Sequence, residues 1–159
     1  MNNNPKLTTI VLASNETFSL EQVVDEISSL KFVEKIIIIS PNFVSNECLS
    51  TQKKILSKYL NVESFIQPEE FPGYGGAVKY GLKYVNTKYF SWLDGDGETD
   101  PSYLKDMYKI LLKNEDINIV NASRFKNNNI FIKNYGFFSS IFTCCFQILC
   151  KLFFDRKIT

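Results

Sequence analysis

Histidine is absent from all 159 residues of the chain. Without an imidazole there is no serine–histidine–aspartate relay and no histidine-built zinc site, so carboxylates, lysines, arginines and backbone groups must carry any chemistry. Net charge is nearly absent too, since 18 basic against 17 acidic residues leave only +1. So weak a global field argues against nucleic acid or an anionic membrane as a bulk electrostatic partner. Cysteine is scarce: Cys48 stands alone and Cys144, Cys145 and Cys150 share one apolar segment. Neither metal-knuckle spacing nor a disulfide-rich density is present, which suits reduced thiols in the cytoplasm. The N-terminal MNNNPKLTTIVLAS lacks the basic start and long apolar region of a signal peptide, and export is not expected. No internal repeat and no low-complexity linker interrupts the chain, and the Asn-rich patch at residues 126–129 reads as a loop.

What is present is apolar sequence, 45% of the chain, enough for one folded domain over residues 1–159. Five short runs rich in β-branched and aromatic residues read as strands: LTTIVLA, KIIIIS, VESFI, KYFSWL and INIVNAS. Several are apolar throughout, as strands buried on both faces of a parallel sheet are. The gaps read as helices. Residues 19–30 place Leu20, Val23, Val24, Ile27 and Leu30 on one face, and residues 47–60, 76–85 and 101–112 complete four crossovers. Alternating strands and helices predict an α/β sandwich with right-handed crossovers.

Within that order, SWLDGDGETDP sets Asp94, Asp96, Glu98 and Asp100 at the carboxyl end of the fourth strand, where open α/β sheets bind ligands. Crowded carboxylates repel unless a cation neutralises them, and an all-oxygen donor set suits magnesium or manganese. Gly95 and Gly97 permit a turn sharp enough for Asp94 and Asp96 to converge. Asp100 has a simpler role, capping the helix that opens near Pro101. A calcium loop starting at Asp94 would need glycine and glutamate where Thr99 and Lys105 stand. A haloacid-dehalogenase-type phosphatase would carry its Asp-x-Asp after the first strand, not the fourth. Upstream, FPGYGGAVKYGL opens a helix at Gly73, Gly75 and Gly76 whose free amides are suited to phosphate.

Taken in order, LASNET, PGYGGAVKYGL, YFSWLDGDGETDP and NASRF resemble family 2 glycosyltransferases of the GT-A fold. Within that family the similarity is to the branch of dolichol-phosphate mannose synthases and related polyprenyl-phosphate glycosyltransferases. The resemblance covers nearly the whole chain and implies a three-layer, Rossmann-like sandwich with a mainly parallel sheet. It implies metal-dependent transfer of a sugar, with inversion, from a UDP- or GDP-sugar to an acceptor such as a polyprenyl phosphate or a glycan. Mg2+ or Mn2+ would be held by Asp96 and Asp94, with Glu98 as an added ligand. Asp94 would also face the nucleotide sugar. Ala13, Ser14, Asn15 and Glu16 would line the nucleoside pocket, and Gly75, Gly76 and Lys79 complete the donor-binding set. Arg124 would meet anionic phosphate and join Asp94 and Asp96 in catalysis. At the second strand many relatives carry an aspartate pair, whereas this chain has Ser40, Pro41 and Asn42, so Asn42 is the expected uncharged contact to the nucleoside. The alternative on the same fold is a non-catalytic nucleotide-sugar-binding module.

The last segment, GFFSSIFTCCFQILCKLFF, puts Phe137, Phe138, Ile141, Phe142, Cys145, Ile148, Leu149, Leu152 and Phe153 on one helical stripe. A stripe predicts a helix packed on protein ahead of one lying peripherally on the inner face of a membrane, and argues against a span. In similar proteins FFDRKIT leads into the acceptor-side half, so the acceptor site and any general base are expected beyond Thr159. A homo-oligomer is left open.

Overall fold

The computed structural model describes residues 5–114 and 116–122, and further along residues 142, 145, 146, 148 and 149. The chain divides into two compact units, Met1–Asp106 and Met107–Thr159. In the first unit, strands β1 (Leu7–Leu12), β2 (Val33–Ser40), β3 (Val62–Ile66) and β4 (Tyr89–Asp94) alternate with helices α1 (Phe18–Ser28), α2 (Asn46–Lys58) and α3 (Gly73–Gly81). A short 3-10 turn, Leu82–Tyr84, extends α3, and helix α4 (Tyr103–Lys113) follows β4.

All strand pairings are parallel and the sheet order is β3-β2-β1-β4. The order reverses direction after β3, because the chain steps outward from β1 to β3 and then returns to the far side of β1. Right-handed crossovers therefore put α1 and α2 on one face and α3 on the other. The side chains agree. Ile10, Ile37 and Ile39 meet Ala77 of α3 and are flanked by Tyr80 and Tyr84, while the alternate positions of β2 face α2, whose Gln52 donates to Ser40 Oγ at 2.8 Å. Ser64 Oγ of β3 donates to Gln52 Oε1 at 2.6 Å, so one buried amide joins the end of β2 to the middle of β3. The result is the expected three-layer α/β/α sandwich.

Two of the helices have a local feature at their start. Ser45 accepts the Cys48 N–H at 3.2 Å as the N-cap of α2. Asp100 Oδ1 accepts the Ser102 N–H at 2.8 Å in the turn ahead of α4, which begins at Tyr103 rather than at Pro101. Hydrogen bonds from Ser102 hold the Asp100 carboxyl below its ordinary value. The buried face of α1 is Leu20, Val23, Val24 and Ile27, as its periodicity predicts, whereas Leu30 lies beyond the helix and is only half-buried.

In the second unit the sequence-based expectations meet corrections. Residues 117–122, expected within a fifth strand, have no regular structure, and Ile119 is 82% exposed. Local β-propensity does not make a strand where, among the described residues, no neighbouring strand takes up its amides and carbonyls; the Ile117 N–H instead closes a turn onto Asn114 O at 3.2 Å. Of the apolar stripe, Phe142, Cys145, Ile148 and Leu149 are helical, as expected, but exposed rather than buried. The periodicity defined a face without supplying its cover. The remaining stripe positions lie outside the described residues. Among the described residues no helix is long and apolar enough to cross a membrane.

Candidate functional site

The topology creates the site. Between β1 and β4 the crossovers run to opposite sides, which leaves a crevice at the carboxyl ends of those strands. A cleft of about 310 Å³ lies there, its floor made by Leu12, Ala13 and Ile39 and its rim by Ser14, Glu16, Asp94 and Asp96. Pro41, Phe43, Gln67 and the first turn of α3 complete its lining.

The carboxylate end is set by glycine geometry. β4 pairs with β1 through Leu12↔Asp94, and the Gly95 N–H extends the pairing by donating to Leu12 O at 2.8 Å. A Cβ on Gly95 would come within 3.0 Å of Leu20 Cδ1 and 3.1 Å of Leu12 O, so a side chain there would push the strand end away from β1. Gly97 then turns the chain at φ +80°, and the Glu98 N–H donates to Asp96 Oδ1 at 2.9 Å. Asp94 and Asp96 thus line the same cleft, as expected. Glu98 does not: its side chain is exposed and outside the cleft, because its backbone is tied into the Asp96 turn.

Glu16 closes the β1 side. Its Oε2 accepts the Ser14 N–H and, at 2.9 Å, the Asn15 N–H, folding the loop after β1 onto itself. Ser14 O accepts from the Ser45 N–H at 2.9 Å, which fastens that loop to the start of α2. Ala13, Ser14 and Glu16 line the cleft, whereas Asn15 is exposed and contributes its amide to the Glu16 carboxylate. Beneath the loop Cys48 is buried, and burial pushes its thiol up from the ordinary value, so it stays a neutral packing group.

On the α3 side Gly73 has φ +70° and begins a helix without a side-chain cap, so its leading amides remain open to a ligand. Gly73 and Tyr74 reach the cleft, while Gly75, Gly76 and Lys79 do not line it. Gly76 has a packing role instead: a Cβ there would collide with the Phe71 carbonyl. Asn42 is exposed, and its neighbours Pro41 and Phe43 take the cleft wall in its place. Arg124 lies outside the described residues.

Sequence reasoning gave no site role to several cleft residues, among them Phe43, Gln67 and Tyr74. Burial first, and then the charge of the neighbouring Asp94 carboxylate, raise the Tyr74 phenol above its ordinary range, so it keeps its proton beside Asp94. The local signal was an aromatic inside PGYGG, but nothing local says it faces a strand end far away in sequence. As a donor set, Asp94 and Asp96 fit Mg2+ or Mn2+ shared with a diphosphate, since such ions take one or two protein carboxylates and complete their shell with phosphate oxygens and water. Among the described residues no third Asp, Glu, His or Cys joins them to make a closed protein cage.

Comparison with known proteins identifies the fold and the family. No curated protein matches the chain by sequence. Solved structures match in fold. One is the mannosyltransferase PcManGT from Pyrobaculum calidifontis, solved with GDP-Man and Mn2+, at 16% identity and a TM-score of 0.58 over 69% of this chain and 33% of that one. A second is S. aureus TarS, at 16% identity and 0.57 over 77% and 40%. A third is the 4-diphosphocytidyl-2C-methyl-D-erythritol synthase of Anaerococcus prevotii, at 19% and 0.56 over 70% and 53%. The chain thus spans about a third to a half of the length of these structures. The four-stranded parallel sheet and its flanking helices are those of GT-A glycosyltransferases. The profile of Glycosyl transferase family 2 matches residues 8–155, and the chain belongs to that family.

Proposed function

We propose that the cleft binds the nucleoside-diphosphate sugar of a metal-dependent, inverting glycosyltransferase. The observation that carries this reading is that Asp94, Asp96 and the uncapped first turn of α3 line one cleft at the sheet's switch point. Asp94 and Asp96 would hold Mg2+ or Mn2+ together with the diphosphate, where a bound ion would supply positive charge against the leaving group. The α3 amides and the Tyr74 hydroxyl are fixed donors at the same end, and Arg124 is assigned to the departing diphosphate. Ala13, Ser14 and the Glu16-closed loop hold the nucleoside. In the transfer an acceptor oxygen bonds to the anomeric carbon from the face opposite the diphosphate, whose carbon–oxygen bond breaks. The acceptor proton leaves to a base or, for a phosphate acceptor such as a polyprenyl phosphate, no proton has to move. The protein works in the cytoplasm, and the acceptor enters as a second substrate.

Calorimetry of UDP and GDP with manganese and with chelator tests the reading. Binding of at least one of them in manganese, lost in chelator and weakened about tenfold or more in Asp96→Asn, is expected. Equal affinity in chelator would remove the metal bridge, and binding without sugar transfer by a longer chain would leave a nucleotide-sugar-binding module.

A further inference from the structure

Gln67 is a buried polar side chain that the reading above leaves unused. It follows β3 directly, is only 9% exposed and lines the cleft. Its backbone N–H donates to Ser40 O at 2.7 Å, which holds it level with the carboxyl end of β2. Its Nε2 donates to the carbonyl oxygens of Phe71 and, at 2.8 Å, of Gly73. Two carbonyls can only accept, so the amide has one orientation, with both Nε2 hydrogens committed to the turn that leads into α3. Behind it the α3 backbone is close, and a Cβ on Gly76 would come within 3.2 Å of Nε2. Oε1 makes no hydrogen bond to the described residues. Once a ligand displaces water from the cleft, an amide oxygen left without a donor is unfavourable, and a ligand N–H that meets it relieves that cost.

The surroundings say what kind of N–H. Pro41, which follows the Ser40 that Gln67 is hydrogen-bonded to, and Phe43 line the same cleft, and Phe43 is 76% exposed, so apolar surface is available to a base in a cleft that holds the fixed Gln67 acceptor. Asp94 and Asp96 sit on the opposite strand end. That division suits a nucleotide lying with its diphosphate over the carboxylates and its base against Phe43 and Gln67. We propose that Gln67 Oε1 reads a ring N–H on the pairing edge of the base, making Gln67 a specificity residue that selects uracil or guanine over cytosine and adenine. Uracil and guanine present a hydrogen there. Cytosine and adenine present a ring-nitrogen lone pair, which would face the lone pairs of Oε1. The proposal rests on the nucleotide-sugar reading of the cleft.

The test is calorimetry in manganese with UDP, GDP, CDP and ADP against the wild-type chain and Gln67→Met, which keeps the length but not the acceptor. A second arm compares the preferred diphosphate with its ring-N-methylated form on the wild type. UDP or GDP is expected to bind about tenfold tighter than CDP and ADP, and methylation to cost about tenfold. In Gln67→Met both ratios fall to about one. Diphosphates that bind wild type without regard to base, a methylated analogue that binds equally well, or a Met variant that keeps the discrimination would each overturn the role of Gln67 while leaving the nucleotide-sugar reading standing. No binding of any diphosphate to wild type would remove both. Should the variant fail to fold, the methylated analogue on wild type decides alone.

Discussion

β2 and β4 are both parallel strands in one sheet, yet they serve different purposes. β2 lies inside the sheet, and Ile36, Ile37, Ile38, Ile39 and Ser40 are all fully buried. Among the described residues β4 is an edge strand, with Phe90 and Trp92 partly exposed and stacked on each other. Their carboxyl ends differ in the same sense. β2 ends in a serine whose hydroxyl is taken up by a buried glutamine, whereas β4 ends in a half-exposed aspartate followed by a glycine turn. Burial on both faces leaves β2 nothing but packing to offer, and its uncharged end closes the core. At the edge a carboxylate keeps its water until a ligand or cation arrives, so charge can be carried without a desolvation penalty. Stability is concentrated in one strand and chemistry at the end of the other.

The comparison can be broken most directly at Ile38. Ile38→Ala removes side-chain volume from a site with no exposure and should cost about 2–5 kcal/mol in urea unfolding. A loss under about 1 kcal/mol would mean that β2 is not the packing centre. The next effect concerns the strand ends. Gln52→Leu strips a partner from both Ser40 and Ser64 and is expected to destabilise by about 1–3 kcal/mol. A neutral result would show that the two hydroxyls find other partners and that the end of β2 needs no anchor. At the end of β4 the expectation reverses. Asp94→Asn should shift unfolding by no more than about 0.5 kcal/mol, while manganese-supported nucleoside-diphosphate affinity falls about tenfold, or about 1.4 kcal/mol. A large stability loss with unchanged affinity would make Asp94 a structural residue and erase the distinction.

Much of this was readable from local sequence, for identifiable reasons. The i, i+3, i+4 spacing of Leu20, Val23, Val24 and Ile27 forecast their burial because a helix repeats its face every few residues. The continuous apolar run of β2 forecast a strand covered on both sides. Gly95 and Gly97 marked the turn between Asp94 and Asp96, and the structure uses one for close approach and the other for its positive φ. INIVNAS misled because its apolar run states a preference for strand and not the presence of a neighbour to pair with. The stripe through Phe142 and Leu149 misled in a related way, since an amphipathic pattern defines a face without naming what covers it.

By itself, then, the sequence determined the succession of the first four strands and their helices, the buried face of α1 and the acidic turn after β4, because each depends on residues a few positions apart. The tertiary structure alone decided the order β3-β2-β1-β4, and with it the crevice between β1 and β4. It alone put Pro41 and Phe43, rather than Asn42, on the cleft wall and brought Tyr74 beside Asp94. It also turned Gln67 inward with both amide hydrogens spent on the turn before α3. Those placements depend on which distant segments pair and which face a crossover takes, and no short window of sequence contains that information.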